Sequence, residues 1–295
     1  MTDSPLSVRS FAKVNLALSV LGKRTDGYHD IQTIFQTTTL CDELEFRHSS
    51  TLELHCENLP DVRNEDNLVW KAASLLSEAV GNKEGVSITL RKMIPVGAGV
   101  GGGSSNAAAT LLGLRRFWNL SISDEGLNSI AAGLGSDVPF FLTGGTALGF
   151  GRGEKIEPLP DYPSLSLVIV FPGIHVSTAE AYRSLNLGLT KTLKDHRIQR
   201  FIGQMREGVR SLTGLFNDFE ASILTAYPPI REAKSFLEEQ GSTATLLSGS
   251  GSSVFGFFSD EESAFAVSRN VPRETWRVFP AKTLSRAEYF HKMFG

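Results

Sequence analysis

The stretch PVGAGVGGGSSN, residues 95–106, decides the fold of this 295-residue chain. Alternating apolar residues at 86–90 predict a strand before it, and the alanine-rich residues 105–118 predict a helix after it. Glycines let the backbone adopt positive φ and approach an anion closely. The unpaired amides at the start of the following helix favour a phosphate. We therefore predict a phosphate-binding loop, with a glycine-rich packing turn as the alternative.

Several kinds of phosphate loop carry glycines at similar spacing. Gly97, Gly99 and Gly102 formally match the dinucleotide-binding pattern, but a second helix from Ser123 follows where that fold needs a strand. No lysine stands where a Walker loop requires one, and the HRD, DFG and VAIK sequences of protein kinases are absent. A dinucleotide-dependent oxidoreductase is the alternative that this pattern leaves open.

The composition is that of a folded, mildly acidic protein. Hydrophobic residues make up 41% of the chain, which is enough for a proper core. Nucleic-acid binders carry a basic surface, so the net charge of −3 argues against a nucleic-acid partner. The longest uncharged run, residues 93–114, is interrupted by six glycines, and we expect no membrane span and no membrane partner.

Cysteine and histidine usage gives no sign of a disulfide framework or a structural metal. Cys41 and Cys56 form no dense pattern, which suits a reducing cytosol. His48 and His55 lie near them at a spacing that matches no common zinc site. The N-terminus has no apolar signal core, so we expect a cytoplasmic protein. No pattern fixes the oligomeric state, and we expect a monomer or a weak homodimer.

Residue periodicity predicts two mixed α+β lobes, residues 1–160 and 161–295, with a proline-rich linker at residues 157–163. In the first lobe we predict a half-buried strand at 11–21, strands at 31–40, 42–46 and 51–54, helices at 68–80 and from Ser123 to Gly133 or Gly135, and a hairpin at Gly144-Gly145. In the second lobe we predict strands at 165–171, 254–258 and 276–279, helices at 179–187, 194–209 and 261–268, and a mostly helical segment at 216–237 that is interrupted at Pro228-Pro229.

Three motifs in chain order resemble those of the GHMP kinases, a superfamily that includes galactokinase, homoserine kinase and mevalonate kinase. Residues 95–108 resemble its phosphate loop, residues 13–16 its N-terminal strand motif, and residues 247–255 its C-terminal glycine motif. Within the superfamily, residues 22–29 and 135–139 are similar to the 4-diphosphocytidyl-2-C-methyl-D-erythritol kinase family. The resemblance implies a two-lobe α+β fold with the active site in the cleft between the lobes.

The resemblance implies two catalytic residues, Lys13 and Asp137. Asp137 is the expected general base for the acceptor hydroxyl, and Lys13 the residue that orients this carboxylate and stabilises negative charge. Asn15 projects from the same strand face as Lys13 and is expected to contact the substrate. From the residues alone, an ordinary solvated strand face and a helix N-cap at Asp137 are the alternatives.

The resemblance also implies a substrate site for a small cytidine diphosphate compound. His29 is expected to hydrogen-bond the cytosine edge, while Tyr28 and Tyr182 are expected to stack on the two faces of the base. Thr178 is a predicted polar contact nearby. On propensity alone, Tyr28 and His29 could equally be packing residues beside a turn.

On the nucleotide side the resemblance implies ATP, with Mg²⁺ carried by the ATP phosphates and no metal ligand predicted among the side chains. The predicted nucleotide-binding residues are Asn67, Lys92, Pro95, Val96, Gly97, Ala98, Gly99, Val100, Gly101, Gly102, Gly103, Ser104, Ser105 and Asn106. The chain departs from the family pattern at Ala98 and Val100, and at Asn106, where many relatives have aspartate. None of these departures removes a backbone amide.

The implied activity is ATP-dependent phosphorylation of the 2-hydroxyl of 4-diphosphocytidyl-2-C-methyl-D-erythritol, in the non-mevalonate (methylerythritol phosphate) route to isoprenoid precursors. Another GHMP small-molecule kinase, such as mevalonate or homoserine kinase, is one alternative. A nucleotide-binding module without catalysis is another, although the presence of both Lys13 and Asp137 argues against it.

Overall fold

The computed structural model describes residues 4–58, 63–185, 195–208 and 212–295. The strands are β1 (Leu6–Lys23), β2 (His29–Ser49), β3 (Leu52–Glu57), β4 (Gly85–Arg91), β5 (Thr146–Gly151), β6 (Lys155–Pro158), β7 (Ser166–Phe171), β8 (Phe216–Asn217), β9 (Ala244–Leu247), β10 (Val254–Phe258) and β11 (Arg277–Lys282). The α-helices are α1 (Leu68–Val80), α2 (Gly102–Phe117), α3 (Asp124–Leu134), α4 (Val138–Thr143), α5 (Thr178–Ser184), α6 (His196–Arg206), α7 (Glu220–Ala226), α8 (Pro228–Glu239), α9 (Glu261–Arg269) and α10 (Arg286–Phe294).

Two sheets organise these described residues. A seven-stranded sheet has the order β3-β4-β2-β1-β8, with β5 and β6 added on β2, and a four-stranded sheet has the order β11-β7-β10-β9. The long antiparallel pair β1–β2 is the spine of the first sheet. Its register shifts between Phe11 and Lys13 and again between Asn15 and Ala17, which are irregularities that increase twist.

Strand β1 is buried on both faces from Ser10 to Val20, so the prediction of a half-buried strand was wrong. One side packs on α2 and α10, where Phe11 joins a core with helix residues such as Leu111 and Tyr289. The other side packs on the four-stranded sheet, where Val14 meets residues such as Phe255. The second sheet covers the face that would otherwise be solvated, and this long-range contact is not visible in the local pattern.

Most predicted elements are confirmed to within a few residues, including α1, α3, β7 and β10. The segment predicted as a strand at 42–46 is the second half of β2. The segment predicted as mostly helical at 216–237 begins with the short strand β8, and its predicted interruption at Pro228-Pro229 is confirmed, because α7 ends at Ala226 and α8 begins at Pro228. The predicted helix at 194–209 is present as α6, while residues 194 and 209 lie outside the described part of the chain, as does the end of the helix predicted at 179–187.

The hairpin predicted at Gly144-Gly145 was wrong. The residues before it form helix α4, which carries Pro139 in its first turn, and Gly144 ends the helix with φ 63°. The fixed φ angle of proline suits the first turn of a helix. This preference outweighs the strand-like appearance of the apolar residues that precede Gly144. Strand β5 pairs instead with β2 and β6.

The proline-rich stretch predicted as a linker is anchored to the core by two of its residues, while Pro158 and Pro160 are exposed. Leu159 and Tyr162 are buried in the core that lies between the two sheets. The chain also returns to the first sheet at its end, because Tyr289 and Met293 of α10 pack in the core beside Phe11. The division into residues 1–160 and 161–295 stays a prediction. Sequence reasoning missed α10, whose start carries a capping box of Ser285 and Glu288.

We expect Tyr289→Ala to lower the free energy of unfolding by about 3–5 kcal/mol, the usual cost of removing a large buried aromatic side chain. Tyr289 is fully buried, and its hydroxyl donates to the Phe141 carbonyl oxygen at 2.6 Å. Equilibrium urea unfolding measures the change, with His291→Ala on the exposed side of α10 as the control. Equal effects of the two substitutions would contradict this account of α10.

Candidate active site

A cavity of about 910 Å³ lies between β1, β2, the glycine loop of residues 95–101 and the loop between β9 and β10. The predicted site residues in its lining come from five separate parts of the sequence. The predicted site residues that line it are Lys13, Asn15, Tyr28, His29, Gly99, Gly101, Ser104, Asp137, Thr178 and Tyr182. The cavity is therefore a common site for the residues assigned to catalysis, phosphate binding and substrate binding.

The glycine loop joins β4 to α2, and its backbone carries no side chain at Gly97, Gly99 and Gly101. Gly99 and Gly101 have φ of 77° and 73°. A Cβ at Gly99 would lie 2.3 Å from the Ser248 carbonyl oxygen, so this position requires glycine. Helix α2 begins with no side-chain cap on its first amides, and Ser104 of this first turn lines the cavity. Uncapped amides with a positive helix end are suited to bind phosphate oxygens.

The loop between β9 and β10, in the other lobe, holds the glycine loop in place through hydrogen bonds. Ser248 Oγ donates to the Gly99 carbonyl oxygen at 3.0 Å, and the Ser253 amide donates to the Ala98 carbonyl oxygen at 3.0 Å. Asn217 Nδ2 in turn donates to the carbonyl oxygens of Leu247 and Gly249, both at 2.8 Å. Asn217 lies in a strand of two residues, and nothing in its local sequence pointed to this role.

Lys13 and Asp137 meet at the inner end of the cavity. Lys13 Nζ lies 3.4 Å from Asp137 Oδ2, and the two side chains are 4% and 32% exposed. Lys13 Nζ also donates to Asn15 Oδ1 at 2.8 Å and to the Gly99 carbonyl oxygen at 3.0 Å. Asp137 occupies the N-cap position of α4, but its side chain makes no capping hydrogen bond. Its carboxylate is therefore left to face Lys13 and the cavity.

Aromatic side chains line the outer end of the cavity. The His29 and Tyr182 rings stack with their centroids 4.4 Å apart, and Phe219 packs edge-on against Tyr182. The exposed Tyr28 ring lies under the Arg152 guanidinium, 4.9 Å from it. The structure therefore pairs Tyr182 with His29, where the sequence interpretation placed Tyr182 opposite Tyr28 across a base. Sequence reasoning also missed Arg152 and Phe219.

Two ionisable groups at this outer end have altered pKa values. Burial, together with the positive charge of Lys23, lowers the pKa of His29 below its ordinary value. Burial, together with the negative charge of Asp137, raises the pKa of Tyr182. Both shifts favour the neutral form at neutral pH. Thr178 adds a polar group nearby, with its Oγ 3.2 Å from Ser250 Oγ.

Lys92 and Asn106 lie in a buried polar network behind the glycine loop. The centre of the network is Asp42, which is paired with the Lys92 ammonium. Asp42 also accepts from the amides of Met93 at 2.6 Å and Ile94 at 2.7 Å, and from Asn106 Nδ2 at 2.8 Å. A single aspartate thus joins the end of β4, the start of the glycine loop and α2.

Other predicted nucleotide-binding residues have structural partners. Ser105 Oγ accepts from Ser10 Oγ at 2.8 Å in the core. Asn67 caps α1, with its side-chain oxygen accepting from the Val69 amide at 2.9 Å. The remaining predicted residues lie in the glycine loop and the first turn of α2, and their contact with a nucleotide stays a prediction. Direct contact of Asn67, Lys92, Ser105 and Asn106 with a nucleotide stays a prediction.

Comparison with known proteins matches both halves of the chain to kinases. The family model "GHMP kinases N terminal domain" matches residues 67–145, and "GHMP kinases C terminal" matches residues 191–278. The chain is 43% identical over 281 residues to the 4-diphosphocytidyl-2-C-methyl-D-erythritol kinase of Syntrophus aciditrophicus, covering 95% of this chain and 99% of that protein. The enzyme of the same name from Prosthecochloris aestuarii is 43% identical over 88% of this chain and 91% of its own length. The chain belongs to the 4-diphosphocytidyl-2-C-methyl-D-erythritol kinase family.

Solved structures agree with this family and with the predicted two-lobe α+β fold. A crystal structure of 4-(cytidine 5'-diphospho)-2C-methyl-D-erythritol kinase superposes with a TM-score of 0.80 at 33% identity, covering 94% of this chain and 99% of that one. Homoserine kinase from Cytophaga hutchinsonii superposes at 0.67 with 18% identity, covering 97% of each chain. L. major mevalonate kinase superposes at 0.69 with 16% identity, covering 95% of this chain and 96% of that one. The last two share the fold. The oxidoreductase alternative has no support from these comparisons.

Within the described residues of this kinase, no three His, Cys, Asp or Glu side chains are grouped to hold a metal ion. Asp137 is the one acidic residue among the described residues that line the cavity. Mg²⁺ commonly binds through one or two carboxylates together with substrate phosphates and water, so this site fits a metal that arrives with a nucleotide. Over the same part of the chain, no helix combines the length and apolarity needed to span a bilayer.

We expect His29 to titrate with a midpoint below the ordinary histidine value of about 6.5. Burial and the Lys23 charge both disfavour the imidazolium, so the neutral ring persists to lower pH. Two-dimensional NMR of the histidine ring protons, with His29→Gln to assign the signal, measures the midpoint. A midpoint above that of a model peptide would contradict the assignment of these two causes.

We expect Asp42→Asn to lower the free energy of unfolding by about 3–5 kcal/mol, because it leaves the Lys92 ammonium buried without its partner. The asparagine would also point an N–H toward groups that donate hydrogen bonds. Glu57→Gln, which removes an exposed ion pair with Arg91, is the control and should change stability little. Comparable losses of unfolding free energy in the two variants, measured by chemical denaturation, would show that burial of the Asp42 network adds nothing to stability.

Proposed function

We propose that this kinase transfers the γ-phosphoryl group of ATP to the 2-hydroxyl of 4-diphosphocytidyl-2-C-methyl-D-erythritol, giving the 2-phosphate in the methylerythritol phosphate route to isoprenoid precursors. The observation that carries the proposal is the contact of Lys13 with Asp137 at 3.4 Å inside a cavity that also contains the glycine loop and the His29–Tyr182 pair. A phosphate donor and a nucleoside-bearing acceptor can therefore reach the same point from opposite sides.

The glycine loop is the proposed phosphate site. Its bare backbone and the uncapped first turn of α2 offer amide donors, and the Ser104 hydroxyl lies at the cavity wall. These groups are fixed before the reaction because the second lobe braces Gly99 through Ser248. Phosphoryl transfer depends mainly on positioning and on stabilising charge, so a rigid ring of donors is the contribution expected of a protein. Mg²⁺ bound to the phosphates would neutralise part of their charge.

Asp137 is the proposed general base and Lys13 its positioning and charge-stabilising partner. The acceptor oxygen forms a bond to the γ-phosphorus while the bond from that phosphorus to the bridging oxygen of ADP breaks. The proton of the acceptor hydroxyl passes to the Asp137 carboxylate, which is partly exposed in the cavity. Lys13 lies against the same carboxylate and the Gly99 carbonyl, between the base and the phosphate loop.

The outer end of the cavity is the proposed cytidine site. The neutral His29 ring has one donor and one acceptor nitrogen, which suits the edge of a cytosine. The exposed Tyr28 ring can stack on a base at the entrance, while Tyr182 is held by Phe219 from the side and covered by His29 on one face, which leaves its other face for a base. Asn15 and Thr178 are further polar residues of the cavity lining. The cytoplasmic location and the monomer or weak homodimer stay predictions.

The purified kinase should convert 4-diphosphocytidyl-2-C-methyl-D-erythritol and ATP to the monophosphorylated product and ADP in the presence of Mg²⁺. Coupled ADP release and ³¹P NMR of the product measure the rate and the position of the new phosphate. Homoserine and mevalonate, offered at the same concentration, are the controls. Faster turnover of either control would contradict the proposed acceptor while leaving a small-molecule kinase.

We expect Asp137→Asn to lower kcat by roughly 10²–10⁴-fold, the usual contribution of a general base. The substitution keeps the size of the side chain and an oxygen that can accept from Lys13, and Asp137 is partly exposed and makes no capping bond, so the loss of stability should be smaller than for Asp42→Asn. Asp124→Asn, on the exposed start of α3, is the matched control. Near-normal turnover by folded Asp137→Asn protein would remove Asp137 from the role of base.

A further inference from the structure

A directional chain of hydrogen bonds begins at the Lys13 ammonium and ends on the backbone of β1. Lys13 Nζ donates to Asn15 Oδ1 at 2.8 Å, and Asn15 Nδ2 donates to Thr33 Oγ1 at 2.7 Å. Thr33 Oγ1 donates in turn to the Ala17 carbonyl oxygen at 2.7 Å. All of the side chains in this chain are buried, and Thr33 has no exposed surface.

The chemistry of lysine fixes the direction of this chain. An ammonium can only donate, so the oxygen of the Asn15 amide must face Lys13. The amide nitrogen then faces Thr33, whose hydroxyl oxygen must accept. The Thr33 proton is left for the Ala17 carbonyl, which lies beside the irregularity in the β1–β2 register. A threonine hydroxyl can both accept and donate, so Thr33 accepts from the Asn15 amide and donates to the Ala17 carbonyl oxygen.

The orientation of Asn15 matters because Asn15 Oδ1 is one of three acceptor oxygens around the Lys13 ammonium. Lys13 Nζ donates hydrogen bonds to Asn15 Oδ1 and to the Gly99 carbonyl oxygen, and it forms an ion pair with Asp137 Oδ2 at 3.4 Å. With the amide reversed, an N–H group would face the ammonium and one of the three acceptors would be lost. The ammonium would then shift relative to Asp137 and the glycine loop.

We propose that Thr33 is a positioning residue for the phosphoryl transfer. Its hydroxyl holds the Asn15 amide in the orientation that presents oxygen to Lys13, and Lys13 is thereby kept between Asp137 and the Gly99 carbonyl. This inference rests on the proposed function, since it assumes that Lys13 and Asp137 act in the reaction. Thr33 itself is absent from the cavity lining and acts through Asn15.

The test compares Thr33→Val, which keeps the shape and removes the hydroxyl, with Thr33→Ser, which keeps the hydroxyl. We expect Thr33→Val to lower kcat roughly ten- to a hundredfold, the scale on which small misplacements of reacting groups slow enzymes. The KM for ATP should change less than about twofold, because the glycine loop keeps its contacts with the second lobe. Thr33→Ser should restore kcat to near the wild-type value.

Thr38→Val is the matched control. Thr38 lies on the same strand, is equally buried, and its hydroxyl points to another β1 carbonyl, that of Ala12 at 3.4 Å. It takes no part in the Lys13 chain. We expect Thr38→Val to change thermal stability without lowering kcat. If Thr33→Val does not fold, Thr33→Ala removes the same hydroxyl with less crowding and is compared with Thr33→Ser in its place.

Each remaining outcome would overturn the inference. A wild-type kcat in Thr33→Val shows that the hydroxyl does not position Lys13. Equal loss of kcat in Thr33→Ser shows that the methyl group is what matters, and equal loss in Thr38→Val shows a general effect of buried threonines. Failure of the wild-type protein to phosphorylate the proposed acceptor would instead count against the proposed function. The Thr33 series is then repeated on the acceptor that the kinase does use.

Discussion

A buried ammonium group with three donors and no acceptor is the constraint on which the site depends. Lys13 is almost fully buried, and an ammonium in that position is costly unless its donors are all paired. Its partners come from β1 itself, from the glycine loop and from the residue before α4. Satisfying one lysine therefore brings three separate parts of the chain to one point.

The Gly99 carbonyl oxygen joins this constraint to the second lobe. It accepts from both Lys13 Nζ and Ser248 Oγ. The two loops can approach closely because Gly99 has no side chain. A Cβ there would lie 2.3 Å from the Ser248 carbonyl oxygen and 2.7 Å from the Gly251 carbonyl oxygen. Asn217 then ties that second loop to β8, which pairs with β1. The two glycine motifs thus pack together. Strand β1 contacts the first motif through Lys13 and is connected to the second through β8.

The local pattern of the sequence was enough to predict most elements around the site and the glycine loop between β4 and α2. Glycine spacing and the alanine-rich run gave the loop and α2, because backbone freedom and helix propensity are local properties. Lys13 and Asp137 were reached only through resemblance to a family, since their contact joins distant parts of the chain. Asp42 and Asn217 were missed because a lone polar residue in a strand has no distinctive local pattern. The hairpin at Gly144 was wrong because Pro139 favoured a helix.

Two buried lysines flank the glycine loop, and their charge environments differ. Lys92 is paired with Asp42, which has no exposed surface and is held by four donors. Its charge is therefore neutralised within the protein, and the pair fixes the start of the loop. Lys13 meets Asp137 at 3.4 Å, and that carboxylate is 32% exposed in the cavity. A looser, partly hydrated pair neutralises the ammonium less, because water screens the carboxylate. Positive charge is thus left available at Lys13, on the side of the loop where negative charge would develop during phosphoryl transfer.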